Sequence, residues 1–500
     1  MKIKLSNFGP IREFEIDLDK DFHLLIGQNN IGKSYAITAI YLILKSLIEL
    51  KTIRGMNFSS LYYDYMMDKG EESNTNEKLL ADLFKGDKQE IDISDTVNKN
   101  TKEILAASFV RSLTNSFTST FTSLTNLENK FNVGSVTTEI KLSAYNIDIT
   151  LSIRDGKIII SNIKSPDRYV LKKSKRNRNI HYGANDISIY YRESEADSGR
   201  SSEMDTHFTQ EYGFLISVRF RNVVQRLTSG LNGVHYLPAS RSGLYQALSA
   251  FGQIIAELSR NRSFLSKKIE LPGISEPVSD YFIKLSDIRV VKKAFEDKKI
   301  NLIAKEIEDS ILDGRVEFNP QTKQLMFYPN GTSLKLELSS TSSMVSELAP
   351  IVSYLRYVVT RMEPVTSTRR NTARKEETKA LIMIEEPEAH LHPEIQIKLT
   401  ELFEKLIDVN IKLIITSHSN FIFNKVNNLI IKNTHEQNDV GLHLDNVNSL
   451  VFKKTPGGSV ASPLSIDGLG IDDNNFIDAT EKLFEEKMQL FSDINEDDEE

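Results

Sequence analysis

The octapeptide GQNNIGKS at 27–34 constrains this chain more than any other stretch. It fits G-x-x-x-x-G-K-[ST], and its flanks supply the context that gives the pattern meaning. Before it, His23, Leu24, Leu25 and Ile26 form an apolar run of strand length; after it, the 35–50 segment is rich in Ile, Leu and Ala with polar breaks at helical spacing. A strand, a glycine-bearing loop and a helix are therefore expected to open the protein. Gly27 and Gly32 let the backbone curl so that successive N–H groups, those around Asn29, Asn30 and Ile31 among them, face a phosphate at a helix N-terminus. Lys33 reaches the β- and γ-phosphates and the Ser34 hydroxyl binds Mg²⁺. The expected ligands are a nucleoside triphosphate and Mg²⁺.

Three later motifs bear on the same chemistry. The apolar run Ala380-Leu-Ile-Met-Ile384 ends in Glu385-Glu386-Pro387. Phosphoryl transfer needs one carboxylate on the metal side and another to orient the attacking water, and paired acids at a strand's C-terminal end meet both needs. Glu385 takes the first role and Glu386 the second, as general base. The next apolar run, 411–415, ends in Thr416-Ser417-His418-Ser419. His418 at that strand end is either an ordinary polar residue or, beside the other motifs, a hydrogen-bond partner of the γ-phosphate. Finally, Ser339 and Ser340 lie in a hydroxyl-rich run before an apolar helix, where small polar residues serve as helix caps or as an anion-binding loop.

Between these ends the patterning changes. Phe109, Leu113, Phe117, Phe121, Leu124, Leu127 and Phe131 recur at three- and four-residue steps and predict an amphipathic helix. Alternating apolar residues over 137–163, interrupted by Asp155-Gly156, predict a β-hairpin arm rather than part of a nucleotide core. Basic runs occupy 172–178 and 369–375. The chain divides on this pattern into 1–53, an inserted helical and β-arm region at 54–232, a second catalytic part at 233–425, and an extension with an acidic tail at 426–500.

Composition narrows the class. Basic residues number 62 against 69 acidic, a net charge of −7, which argues against a surface coated for indiscriminate nucleic-acid binding. There is no cysteine, so no disulfide frame, thiol nucleophile or cysteine-based zinc site exists. No apolar run approaches the roughly 18 residues of a membrane span, and a cytoplasmic location without membrane partners is expected.

The order GQNNIGKS, YLPASRSG, LSSTSS, IEEPEAHLHP and TSHS resembles the ATPase head of the SMC/Rad50/OLD branch of ABC-type ATPases, in particular the stand-alone ATPases of prokaryotic anti-phage systems. The resemblance covers about 1–50 and 235–425. It implies an α/β fold, an ABC-ATPase head with a P-loop mixed sheet flanked by helices, an N-terminal antiparallel β subdomain, and helical and β-arm insertions. It further implies a head-to-head homodimer, or a higher assembly built on it, with two ATPs sandwiched between subunits. Gly32, Lys33 and Ser34 match Walker A, Glu385 and Glu386 Walker B, His418 the switch histidine, and residues 388–392 the D-loop. Ser339 and Ser340 fall where a signature loop contacts ATP of the other subunit, although the glycines of LSGGQ are missing. Arg241 stands as a weak substitute for a γ-phosphate sensor.

Three functions are then open. The first is a hydrolysing dimeric switch that controls a separate effector, a nuclease or toxin, in anti-phage defence, with DNA a further candidate partner. The stretch after His418 is shorter than a nuclease domain of the Toprim type, and Asp467, Asp472 and Asp473 lie in a Gly-rich turn, so no nuclease domain is expected in this chain. The second is a repair ATPase similar to the RecF group, using the basic runs on phosphates. The third is an ATP-stabilised scaffold with little turnover.

Overall fold

Strands covered on both faces need no polar alternation, and the apolar runs of this chain behave that way. The computed structural model describes residues 1–52, 89–131, 136–174, 180–182, 186–192, 201–239, 241–243, 274–288, 298–319, 322, 324–362, 378–436, 441–472 and 484–490. In it all five residues of Phe22–Ile26 and all seven of Ile411–Ser417 are buried. They lie in one eleven-stranded mixed sheet. Its strands, in chain order, are β1 (Lys2–Phe8), β2 (Ile11–Asp17), β3 (Phe22–Ile26), β4 (Thr138–Ala144), β5 (Ile147–Arg154), β6 (Lys157–Lys164), β7 (Leu231–Leu237), β8 (Lys379–Glu385), β9 (Ile411–Ser417), β10 (Val447–Thr455) and β11 (Gly458–Pro463). Across the sheet they run β7-β8-β9-β3-β10-β11-β2-β1-β4-β5-β6.

The first five of these are parallel, whereas β10–β11 and every pair from β2 to β6 are antiparallel. Period-two alternation divides the parallel strands between two cores. Leu25, Leu381, Met383 and Ile414 face one core with Ile37 and Ile40 of helix α1 (Lys33–Thr52). Leu24, Ile26, Ile382, Ile384, Leu413 and Ile415 face the other. That second core also holds Leu348 of α2 (Ser343–Tyr357), Phe403 of α3 (Pro393–Asp408) and Phe423 of α4 (Asn420–Glu436). The α/β fold class, a mixed sheet with flanking helices, is as the sequence implied.

Two expectations need correction. The alternating stretch at 137–163 is no arm apart from the head's sheet: β4 pairs with β1, Ile140 opposite Leu5 and Leu142 opposite Ile3. Pairing with β1 satisfies its backbone edge and sets Ile140 and Leu142 in one core with Ile3 and Leu5, burial that a protruding hairpin would lack. The hairpin turn itself is as expected, with Asp155 and Gly156 both at positive φ (51° and 68°), as a two-residue turn of the I′ kind requires. The amphipathic segment at 109–131 is not one helix. A π turn (Ala106–Val110) leads into a helix over Arg111–Phe121, which stops where Thr122 turns to φ 70°; Leu124 and Leu127 follow in a 3₁₀ turn and Phe131 is exposed. The basic run 369–375 and most of 172–178 lie outside the described residues.

The C-terminal end of α2 is fixed by a buried clasp. Arg356 sends Nη1 and Nη2 to the Glu308 carboxylate (3.0 and 2.5 Å), Nη1 also to the Val316 carbonyl (2.9 Å), and Nε to Asn301 (3.0 Å). Glu308 in turn accepts the Val316 amide at 2.6 Å. Removing one partner of a buried pair strands the other, so Glu308→Ala is expected to cost about 3–5 kcal/mol. A lowered urea midpoint with an unchanged m-value checks this; an unshifted midpoint contradicts it.

Candidate functional site

Register brings the motifs together. Glu385 pairs with Thr416, Thr416 with Leu25, and Ser417 with Ile26, so β8, β9 and β3 end level with one another. Their following loops, which carry Glu386, His418 and Gly27, open on the C-terminal edge of the parallel strands, where open α/β sheets bind ligands.

The 27–34 loop has the conformation its glycines allow. Gly27 sits at φ 144°, and a Cβ there would stand 2.9 Å from the Phe452 carbonyl oxygen; Gly32 sits at φ 98°. Gln28, Asn29 and Asn30 are exposed at the loop's crest, Asn30 at φ 57°, while Ile31 is buried beneath it. Helix α1 begins at Lys33, so a helix N-terminus, where an anion is favoured, lies directly at the end of the loop. Ser34 is exposed.

Lys33 is 5% exposed, and its Nζ donates to the carbonyls of Gly27 (2.8 Å) and Gln28 (3.0 Å) and to Nε2 of His418 (2.9 Å). Burial lowers its pKa to about 8, opposed by the charges of Glu386, Glu388 and Glu385. Burial, and then the charge of Lys33, hold His418 below the ordinary imidazole value, which favours a neutral ring able to accept from the Lys33 ammonium. Nε2 also lies 3.4 Å from Oε1 of Glu386. These contacts put the lysine, the histidine and the second glutamate in one pocket.

Glu385 is 7% exposed, and burial raises its pKa, opposed by the hydroxyls of Tyr236 and Ser34 and the amide of Ala239. Its Oε1 is buried with no hydrogen-bond partner among the described residues. An orphaned carboxylate oxygen beside a serine hydroxyl is a hard-oxygen donor set that suits Mg²⁺, which takes one or two carboxylates together with substrate phosphates. Among the described residues no cluster of three His, Cys, Asp or Glu could hold a metal by itself. Glu386 is held at φ 43°, a left-handed conformation that costs a non-glycine residue on the order of 1–3 kcal/mol. Its amide donates to the Thr416 carbonyl at 2.9 Å.

Ser339 and Ser340 are not part of this pocket. They form an exposed single turn over the buried Leu338, and Ser342 caps α2 by accepting the Val345 amide. Arg241 departs from its expected role as a γ-phosphate sensor. It is wholly buried and spent on the carbonyls of Glu385 (Nη1, 2.8 Å), Pro238 (Nη1, 3.2 Å) and Glu386 (Nη2, 3.4 Å). Glu388, placed in the sequence only as part of a D-loop, holds the switch segment: its Oε1 accepts the Ser417 hydroxyl (2.9 Å) and the His418 amide (2.6 Å). Gln396 of α3 accepts the Ser419 hydroxyl at 2.5 Å. Glu388 lies three residues after the Walker B carboxylate; nothing in the spacing marks Gln396.

The family model described as "AAA ATPase domain" matches residues 1–423. No curated protein matches significantly. Solved structures similar to this chain include an SMC head bound to the C-terminal winged-helix domain of ScpA (10% identity, 93% of this chain and 97% of that one, TM-score 0.38). They also include the SMC head domain from Thermotoga maritima (10%, 93% and 98%, TM-score 0.34). A third is an SMC head with an extended coiled coil bound to the C-terminal domain of ScpA derived from Pyrococcus furiosus (11%, 99% and 98%, TM-score 0.36).

The depressed Lys33 gives the site a testable pH dependence. Below about pH 8 the free protein already carries the ammonium that a phosphate needs; above it, binding must take up a proton. Affinity for Mg-ATP is therefore expected to hold from pH 7 to 8 and then to fall by up to about tenfold per pH unit. Titration calorimetry at pH 7 to 9.5 reads it directly, and a flat profile contradicts the assignment.

Proposed function

Since the chain belongs to the AAA ATPase domain family and is thereby a nucleotide-binding ATPase, we propose that it works as a dimeric switch driven by ATP hydrolysis at the pocket of Lys33, Ser34, Glu385, Glu386 and His418. The observation that carries this reading is the level ending of β3, β8 and β9, which brings those side chains from three distant segments to one edge.

ATP enters with its phosphates against the 27–34 loop. Lys33 exchanges its bonds to the Gly27 and Gln28 carbonyls for phosphate oxygens and releases His418 Nε2. Ser34 and Glu385 would hold Mg²⁺, whose charge offsets that of the phosphates. Glu386 accepts a proton from the attacking water, in line with the leaving oxygen. His418, kept in place through its amide by Glu388, donates Nε2–H or Nδ1–H to the γ-phosphate, according to its tautomer. The exposed Ser339-Ser340 turn closes on ATP bound by a second copy of the chain, and hydrolysis reopens the pair. Control of a separate effector such as a nuclease, in anti-phage defence, extends this reading on the strength of the motif order; co-purification with the products of neighbouring genes tests it.

Glu386→Gln removes the base without its hydrogen-bonding shape. Turnover is expected to fall about 10²–10⁴-fold while Mg-ATP binding persists and the ATP-bound dimer lives longer. Unchanged turnover would mean that the base lies elsewhere and would favour a scaffold. Lys33→Ala is expected to abolish nucleotide-dependent dimerisation in light scattering; equal dimer fractions in the two proteins would sink the switch.

A further inference from the structure

Helix α2 starts three residues after the Ser339-Ser340 turn, and the turn is pinned to it by the buried Leu338 and the Ser342 cap. In its first turns it carries Glu347, a carboxylate 1% exposed inside the protein. A buried acid needs partners, and among the described residues both come from the segment after β7. The Ser242 hydroxyl donates to Oε1 at 2.6 Å, and Nη2 of Arg241 lies 3.4 Å from Oε2. Arg241 is itself 0% exposed, and besides the Pro238 carbonyl of its own segment (3.2 Å) it reaches the backbone of the catalytic turn: the Glu385 carbonyl at 2.8 Å and the Glu386 carbonyl at 3.4 Å. One planar guanidinium thus touches α2 on one side and the peptide groups flanking the left-handed Glu386 on the other.

We propose that Arg241 and Glu347 are a positioning pair that transmits the setting of α2, and with it of the Ser339-Ser340 turn, to the backbone of Glu386. Neither side chain reaches the surface to meet nucleotide, so neither is a catalytic residue. A strained backbone conformation persists only where surrounding contacts hold it, and here the carbonyls on both sides of Glu386 accept from the same arginine. A shift of α2 moves Glu347, Glu347 moves the guanidinium, and the guanidinium moves the peptide that aims the Glu386 carboxylate. Engagement of the turn by a second copy would in this way be felt at the water-activating group, so that ATP is cleaved in the closed pair and spared in the open one. This rests on the hydrolytic reading of the pocket given above.

The test uses the full chain with Glu347→Gln, which keeps the shape and the Ser242 contact and removes the charge, and Arg241→Lys as a second variant. Mg-ATP affinity, measured with a fluorescent ATP analogue, is expected to stay within about threefold of the parent, while kcat falls about 10–100-fold, the scale of a misaimed reacting group. Placed in the Glu386→Gln background, Glu347→Gln is expected to slow single-turnover hydrolysis no further, because it acts through Glu386. Losses that multiply in the double variant would overturn the proposal. So would unchanged kcat in Glu347→Gln, or affinity and kcat falling in step as general damage to the fold would make them. Should Arg241→Lys fail to fold, Glu347→Gln alone decides. A parent protein that does not hydrolyse ATP at all would instead refute the hydrolytic reading itself, an outcome distinct from all of these.

Discussion

A single lysine ammonium, withdrawn from water, organises the centre of this protein. Lys33 has traded solvent for two carbonyls and an imidazole, and its charge survives at neutral pH because three glutamates stand near enough to offset the cost of burial. Each of those glutamates is in place for a reason of its own. Glu385 ends β8, Glu386 is forced into a left-handed turn just beyond, and Glu388 is tied to the β9 loop. Had the register of β8 against β9 slipped by one residue, every side chain on β8 would have exchanged cores and the acids would have turned away from the lysine. The two buried cores hold that register, and the electrostatics of the pocket rest on it.

The same pocket shows how one environment gives two carboxylates different work. Glu385 is enclosed and oriented by hydroxyls and an amide, with one oxygen left over, which suits a group that holds a cation. Glu386 is more open, its side chain 38% exposed, where water has access to it. Two adjacent residues face such different surroundings because the backbone reverses its twist between them. A strand carries successive side chains to opposite faces, whereas the left-handed turn at Glu386 aims the second into the mouth of the site.

Much of this was legible in the sequence, because the legible parts are local. The strand, loop and helix around Lys33 are specified by residues that touch one another along the chain, and the Glu385-Glu386 pair announces itself at the end of an apolar run. The Asp155-Gly156 turn is equally local. What stayed hidden depends on long-range partners. Glu347 reads as one more polar residue on a helix, and only its burial against Arg241 gives it meaning. The 137–163 hairpin carries the same alternation whether it stands alone or pairs with β1, so periodicity could not say which. Thr122 has no feature that foretells its positive φ, and the helix before it therefore ends earlier than the spacing of phenylalanines suggests.

The hairpin of β10 and β11 sits between β3 and β2, and it comes from residues 447–463, late in the chain. During synthesis the parallel half of the sheet and the antiparallel half must therefore wait, each with an open edge, until those residues leave the ribosome. Contacts that close such long loops are slow to form, and unpaired edges recruit other chains while they wait. The nucleotide loop depends on the same hairpin: Gly27 lies against the Phe452 backbone, a packing partner it has only once β10 is in place. A polypeptide stopped short of this hairpin would hold every motif for nucleotide chemistry and still lack the wedge that joins its two halves.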